Sequence, residues 1–333
     1  MTPPLPQTMQ AMAIENGTLV AVEQPLPIPA AGEVLIRVAY AGVNRADLLQ
    51  IAGDYLPPEG ASPLPGLEVS GWVVAQGDGV HGFSLNAPVC ALLSGGGYAG
   101  YVAVPAAHVL PLPAGIGLKE AATLPEAAAT SMMALLQEGA LKAGERVLLH
   151  GGTSGVGLLM GQIARARGAE VFATVGSAEK AAFLRPFGIR PMNYHTAPFG
   201  EHLLALTEGV GVDVIIDTLG GPALPAHLRC LRRGGRLVSL AMLEGSTIPA
   251  GTKMTRLLMN HLSWHGATLR RRSAAEKAAL MAEIARIVWP MLADGAVKPV
   301  IDRCFALPEA KKACARMQER LHMGKILLEV QAE

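Results

Sequence analysis

The sequence predicts an α/β protein in which a doubly wound parallel sheet is inserted into a mostly β domain. Three observations carry this. After about residue 120, six short apolar runs alternate with alanine-rich helical stretches, the pattern of parallel strands joined by helices. Before that point, β-branched runs are broken by glycine and proline, as in a compact β domain. Near the end the chain returns to short strands, which predicts that it closes back on its first domain. The expected boundaries are 1–125 for the first β segment, 126–266 for the parallel-sheet domain and 267–333 for the return segment. With 333 residues, half of them hydrophobic, two cores are affordable.

In the first segment, Gln10 to Glu23 carries Asn16-Gly17 at its centre, a strong hairpin signal, and Val34 to Tyr40 reads as a strand. Gly71 to Ala75 and Tyr98 to Val104 follow as short strands, with loops over Gly53 to Gly66 and Ser94 to Gly97. The six apolar runs are Arg146–His150, Glu170–Val175, Pro191–Tyr194, Asp213–Thr218, Arg236–Ala241 and His261–Thr268. The tail predicts helices over Ala275–Leu292 and Pro308–Leu321 and strands near Val300–Phe305 and Lys325–Val330. No repeat of fixed period interrupts this order.

Composition narrows the function. The formal net charge is +1, and the longest basic run is Arg270 to Arg272, too small a field to suggest nucleic acid or an anionic membrane. No window approaches the roughly 20 apolar residues of a membrane span. Met1 to Thr8 is proline-rich, without the pattern of a signal peptide, and reads as a loose extension. Cys90, Cys230, Cys304 and Cys314 are scattered and form no CxxC pair, so buried apolar roles in a reducing, cytoplasmic setting are expected. A small-molecule partner is the default.

The run Arg146–His150 leads directly into Gly151-Gly-Thr-Ser-Gly-Val-Gly157 and then into an amphipathic helix starting near Val156. Glycine there permits a tight turn and lets backbone N–H groups approach a pyrophosphate at the positive end of the helix. A Rossmann dinucleotide site is expected, with Gly152, Ser154, Gly155 and Val156 in its turn. Ser154 stands where the usual G-x-G-x-x-G has its middle glycine, so strand, turn and helix carry the reading more than the motif does. The following strand ends in Gly176-Ser177, without the acidic residue that accepts a ribose 2′-hydroxyl. Lys180 comes one helical turn later. It reads either as the partner of a 2′-phosphate, favouring NADPH over NADH, or as a solvated helix residue.

The segments Ala41-Gly-Val-Asn-Arg-Ala-Asp-Leu-Leu-Gln50, Gly66-Leu-Glu-Val-Ser-Gly71, Leu93-Ser-Gly-Gly-Gly-Tyr98, Leu124-Pro-Glu126 and Met323-Gly-Lys-Ile326 occur in that order. Together with the glycine turn they resemble the medium-chain dehydrogenase/reductase superfamily. Within it, the resemblance is to the zinc-free quinone oxidoreductase branch that includes zeta-crystallin, closest to the p53-inducible type, and it spans about Met9 to Val330. It implies a Rossmann NADP-binding domain set in a GroES-like catalytic domain. Zinc-dependent members carry a cysteine near position 44 and a Gly-His-Glu signature. Here Asn44 and Gly66-Leu67-Glu68 supply neither thiolate nor imidazole, so no metal is expected. Without a Lewis acid, simple alcohols are poor substrates, whereas quinones and enones delocalise the charge that arrives with hydride. The implied reaction is direct transfer from nicotinamide C4 of NADPH to a quinone, with reduction of α,β-unsaturated aldehydes or ketones as the alternative.

Residue by residue, the resemblance places Asn44 at the nicotinamide ribose. Asp47 reads either as an acidic partner in that network or as a helix N-terminal carboxylate. Tyr55, the leading catalytic candidate, either bonds or stacks on the acceptor or packs its proline-rich loop. Ser154 either donates to cofactor and substrate or caps the helix. Thr130 is implied at the nicotinamide carboxamide, Ser177, Lys180 and Tyr194 at the adenosine phosphate, with Arg320 resembling an arginine that completes this phosphate site in some relatives, and Lys325 in the wider cofactor set. Gly95-Gly96-Gly97 reads as a turn and not a second phosphate loop, since no Lys-Ser/Thr follows. Trp264, Trp289 and the methionines are expected in the core, and the nine histidines, without HxxxH or HExxH spacing, are given no ligand role. A low-turnover NADPH-binding protein is the competing class. The resemblance also implies a homodimer paired through His261–Thr268.

Overall fold

The computed structural model describes residues 5–331. Of the extension expected over Met1–Thr8, residues 1–4 lie outside the described residues, and Thr8 already opens the first strand. The chain divides into two units. One contains the residues up to 129, 270–293 and those from 299 onward; the other contains 130–269 and 294–298.

The first unit opens with the hairpin β1 (Thr8–Glu15) and β2 (Thr18–Pro25), paired in register Glu15↔Thr18. Asn16 and Gly17 both have positive φ, 48° and 71°, as the two-residue turn requires. Next come β3 (Glu33–Val43), α1 (Arg45–Ile51), β4 (Glu68–Gln76), β5 (Pro88–Leu92), β6 (Tyr101–Pro105), β7 (Val109–Pro111), α2 (Leu118–Ala121) and α3 (Pro125–Ser131). The strands β5 and β7 escape the sequence reading because both are short, carry a proline at one end and show no polar alternation. β6 begins three residues later than expected, because Tyr98 is used as a core side chain hydrogen-bonded into α1.

The second unit contains β8 (Arg146–Leu149), α4 (Gly155–Ala166), β9 (Glu170–Val175), α5 (Ala178–Leu184), β10 (Arg190–Asn193), α6 (Phe199–Leu206), β11 (Val212–Asp217), α7 (Leu224–Cys230), β12 (Leu231–Ser239), α8 (Thr255–Met259) and β13 (Ser263–Gly266). Its strands run parallel in the order β10-β9-β8-β11-β12-β13. That order reverses between β8 and β11, and ligands of such sheets sit beyond the carboxyl ends of the strands at this point. Leu148, Phe172, Ile215 and Leu237 fill one layer of its core.

The tail supplies α9 (Ala274–Ala293), β14 (Ile301–Ala306), α10 (Ala310–Gln318) and β15 (Lys325–Glu329). As expected, its strands rejoin the first unit: β14 pairs β15, and β15 runs antiparallel to β3 in register Ile326↔Val43. One residue before Ile326 and one after Val43, Lys325 therefore faces Asn44.

Two core assignments need correction. Trp264 is 40% exposed on β13, the edge strand, and Met242, Met254 and Met259 are exposed as well. Trp264 is exposed because β13 has no further strand beyond it among the described residues. Trp289 is half-buried and donates its ring N–H to the Pro111 carbonyl. Cys90, Cys230 and Cys314 are buried free thiols, as expected, and Cys304 is half-buried.

Candidate active site

In the second unit, β8 ends at Leu149 and the chain turns sharply through Gly151 (φ 72°) into α4. Ser154 caps the helix: its Oγ accepts from the Gly157 N–H at 3.0 Å and donates to the Gly151 carbonyl at 2.8 Å. The capping reading of Ser154 is thus realised. A Cβ on Gly152 would lie 2.5 Å from that of Ala173, and one on Gly157 would lie 2.4 Å from the Gly151 oxygen. The turn therefore tolerates no side chain at either position, and the helix packs close on the sheet. Gly155 and Val156, in the first turn of α4, have N–H groups with no carbonyl one turn behind them, the arrangement that receives a phosphate. These residues fit a dinucleotide pyrophosphate.

At the end of β9, Ser177 caps α5, accepting from the Lys180 N–H at 3.1 Å. Tyr194 follows β10, and its hydroxyl lies so near Gly176 that a Cβ there would approach it to 2.5 Å. Ser177, Lys180 and Tyr194 thus gather at one corner of the sheet. Arg320, by contrast, belongs to the first unit, in a left-handed conformation just past α10. Thr130 is half-buried within α3.

In the first unit, β3 delivers Asn44 to the N-cap of α1. Its backbone N–H donates to the Asp47 carboxylate at 2.7 Å, so Asp47 closes the return arm of a capping box. Tyr98 Oη and the Gly66 N–H also donate to Asp47, at 3.0 and 3.1 Å. Burial pushes the Asp47 carboxyl up to about 6 against these bonds and the nearby Lys325 charge. With three donors already on it, Asp47 takes the structural role of its two readings. The Asn44 side chain instead donates to Glu68 Oε1 at 3.0 Å and accepts the Lys325 ammonium on Oδ1 at 2.5 Å. Lys325 also pairs with Glu68, and both are almost fully buried. Gly42 makes room for this, since a Cβ there would collide with the Glu68 carboxylate. Glu68 Oε2 accepts the Glu126 N–H at 2.9 Å. Burial, with the Glu68 charge adding to it, raises the Glu126 carboxyl to about 8.

The ammonium of Lys325, a residue expected in the wider cofactor set, is bonded to Asn44 and Glu68 and orients the Asn44 side chain. Tyr55 lies in the loop after α1. Its carbonyl accepts from Arg270 at 2.9 Å, and the Arg270 guanidinium carbon lies 5.3 Å from the centre of its ring.

The histidine spacing concealed one cluster. Among the described residues, His150, Asp217 and His227 bring possible ligand atoms within 4.8 Å of one another. His150 Nε2 and His227 Nε2 are 2.9 Å apart. This is an N–H···N hydrogen bond, shorter than the roughly 3.4 Å edge of a zinc tetrahedron. Burial lowers both imidazoles, His227 to about 4, so both are neutral and the 3.9 Å approach of His227 to Asp217 is no ion pair. Asp217 is already engaged by the Leu219 and Gly220 N–H groups and the Ser239 hydroxyl. The cluster braces the carboxyl ends of β8 and β11.

Sequence reasoning missed Glu126, Arg270, Lys277 and this histidine pair. Lys277 carried a signal, because it falls in line with Leu280, Met281 and Ile284 on the buried stripe of α9. Arg270 carried none, being one of three adjacent arginines.

Residues 30–114 match the family model described as alcohol dehydrogenase GroES-like domain, and residues 155–286 the one described as zinc-binding dehydrogenase. The chain belongs to the medium-chain dehydrogenase/reductase superfamily. It combines the Rossmann and GroES-like domains of that superfamily. Among curated relatives, a mycocerosic acid synthase-like polyketide synthase of Mycobacterium tuberculosis is 31% identical over 91% of this chain. The chain spans only 14% of that protein's length. Three solved structures are similar. The mycobacterial Rv1454c complexed with NADPH has TM-score 0.85 and 27% identity, covering 97% of this chain and all of that one. The CurK enoyl reductase has TM-score 0.85 and 28% identity over 98% and 100%. The quinone oxidoreductase from Coxiella burnetii has TM-score 0.79 and 25% identity over 97% and 100%. No helix among the described residues is long and apolar enough to cross a membrane.

Proposed function

We propose that this protein is a cytoplasmic, zinc-independent NADPH:quinone reductase. The observation that carries the reading is the Lys325 ammonium bonded to Asn44 and Glu68. Where zinc-dependent relatives keep a thiolate, this site holds an amide already bonded to a buried cation, and Leu67 replaces the imidazole. Such a donor set does not fit Zn²⁺. With no Lewis acid, the acceptor must spread its own developing charge, which favours a conjugated carbonyl compound.

The nicotinamide supplies hydride from C4 when bound. Gly152, Gly155 and Val156 would receive the pyrophosphate of the dinucleotide, with Ser154 holding their turn, and Ser177, Lys180 and Tyr194 would engage a 2′-phosphate. Asn44, held rigid by Glu68 and Lys325, orients the reacting end, and the Tyr55 hydroxyl bonds the acceptor oxygen. The similarity to a quinone oxidoreductase supports quinones. Similarity to an enoyl reductase and to polyketide synthases supports a second reading, reduction of α,β-unsaturated carbonyl compounds.

NADPH oxidation measured with ortho-quinones, para-quinones and alkenals separates the two, and turnover confined to alkenals would reject the quinone assignment. Tyr55→Phe should lower kcat at unchanged NADPH affinity. No effect, on a rate already negligible, would favour a binding protein.

We also propose a homodimer that extends the parallel sheet through β13. Leu258 and Met259 are 76% and 68% exposed beside the exposed Trp264, an apolar edge suited to a second copy. Light scattering showing a monomer at micromolar concentration would refute it.

A further inference from the structure

Three irregular stretches of the first unit have little strand or helix ladder to hold them: the end of α1, the loop that follows it, and the turn Ser94–Gly97. One side chain ties all three together. Arg270, only 4% exposed, donates to the Tyr55 carbonyl at 2.9 Å, to Gln50 Oε1 at 2.7 Å, and to the Ser94 carbonyl at 3.2 Å from Nε and 3.0 Å from Nη2. Gln50 extends the tie by donating to the Pro63 carbonyl at 2.9 Å, near the far end of the Tyr55 loop. Behind it, the buried Lys277 donates to Ser94 Oγ at 2.7 Å and to the Arg270 carbonyl at 2.9 Å.

The acceptors that hold Arg270 are all uncharged. A neutral side chain would cross-link these loops at a smaller desolvation cost, and burial lowers both the Arg270 and Lys277 groups. The nearby Asp47 carboxyl favours the cation, which also sits by the Tyr55 ring, where the guanidinium meets the electron-rich face while gripping the same residue's main chain. Backbone and ring are thus both contacted from one side, which restricts the orientation of the phenol.

We propose that Arg270, backed by Lys277, is a positioning residue for Tyr55, fixing its ring and hydroxyl for the acceptor. The inference rests on the reading of Tyr55 as the group that meets the substrate. Arg270→Lys keeps the charge but loses the planar fork that reaches three acceptors at once.

The test uses full-length protein carrying ¹³C-ring-labelled tyrosine. There are five tyrosines, and the Tyr55 signal is the one lost in Tyr55→Phe. Arg270→Lys should shift and broaden that signal. It should also lower kcat with an ortho-quinone by about ten- to a hundredfold, as misplacement of a reacting group does, with NADPH affinity within about twofold. In a Tyr55→Phe background the same substitution should change kcat less than about twofold, because the group it places is gone. An unmoved Tyr55 signal, or losses that multiply in the double variant, would overturn the proposal. Should Tyr55→Phe itself leave turnover intact, the substrate-facing reading of Tyr55 fails, while the ring signal still decides whether Arg270 places it. If Arg270→Lys does not fold, Gln50→Leu removes one arm of the clamp and is expected to move the same signal.

Discussion

The Lys325 ammonium donates to the amide oxygen of Asn44 at 2.5 Å, across the antiparallel pairing of β15 with β3. A strand near the end of the chain thereby sets the side chain of the N-cap residue of α1, some 280 residues earlier. The Lys325–Glu68 pair beneath it is almost fully buried. Removing one partner leaves an uncompensated charge, so Lys325→Met should destabilise by about 3–5 kcal/mol. Urea unfolding reads this, and Lys325→Met with Glu68→Gln should recover part of the loss.

Glu126 gives a pH dependence of known sign. Its carboxyl is raised from the ordinary 4.5 to about 8, so between those values the folded state holds a proton that the unfolded state has released. Stability from this group is therefore complete below about pH 4.5 and is lost as pH rises through about 8. Glu126→Gln, which cannot ionise, should match the parent at pH 5 and exceed it by up to a few kcal/mol at pH 9. Denaturant midpoints at the two pH values check this; a parallel offset at both would contradict it.

In the glycine turn, Gly157→Ala places a methyl 2.4 Å from the Gly151 oxygen. The clash is with backbone, which cannot swing aside, so an overpacking cost of about 1–3 kcal/mol is expected. NADPH affinity, read by fluorescence quenching, should fall more steeply than stability, because the displaced backbone is the part that meets the pyrophosphate.

Lys180→Ala tests cofactor choice. Its ammonium lies at a solvent-accessible corner, so its contribution to a 2′-phosphate is of order 1 kcal/mol, about a fivefold loss in NADPH affinity with NADH unchanged. Equal losses for the two cofactors would defeat the 2′-phosphate assignment.

Local chemistry accounts for most of what could be read without coordinates. The Asn16-Gly17 hairpin, the strand β9 and the Ser154 cap each follow from residues within one or two turns of one another, where propensity, glycine conformation and capping act directly. The missing cysteine at position 44 and the missing histidine at 67 were equally plain, since metal chemistry depends on residue type. Tertiary structure decided which polar groups share an environment. Lys325 with Glu68, Arg270 with Tyr55 and His150 with His227 are joined across 77 to 257 positions. A buried charge is tolerable only where a partner from another element arrives to solvate it, and that partner is set by strand register and helix packing, which no local window contains.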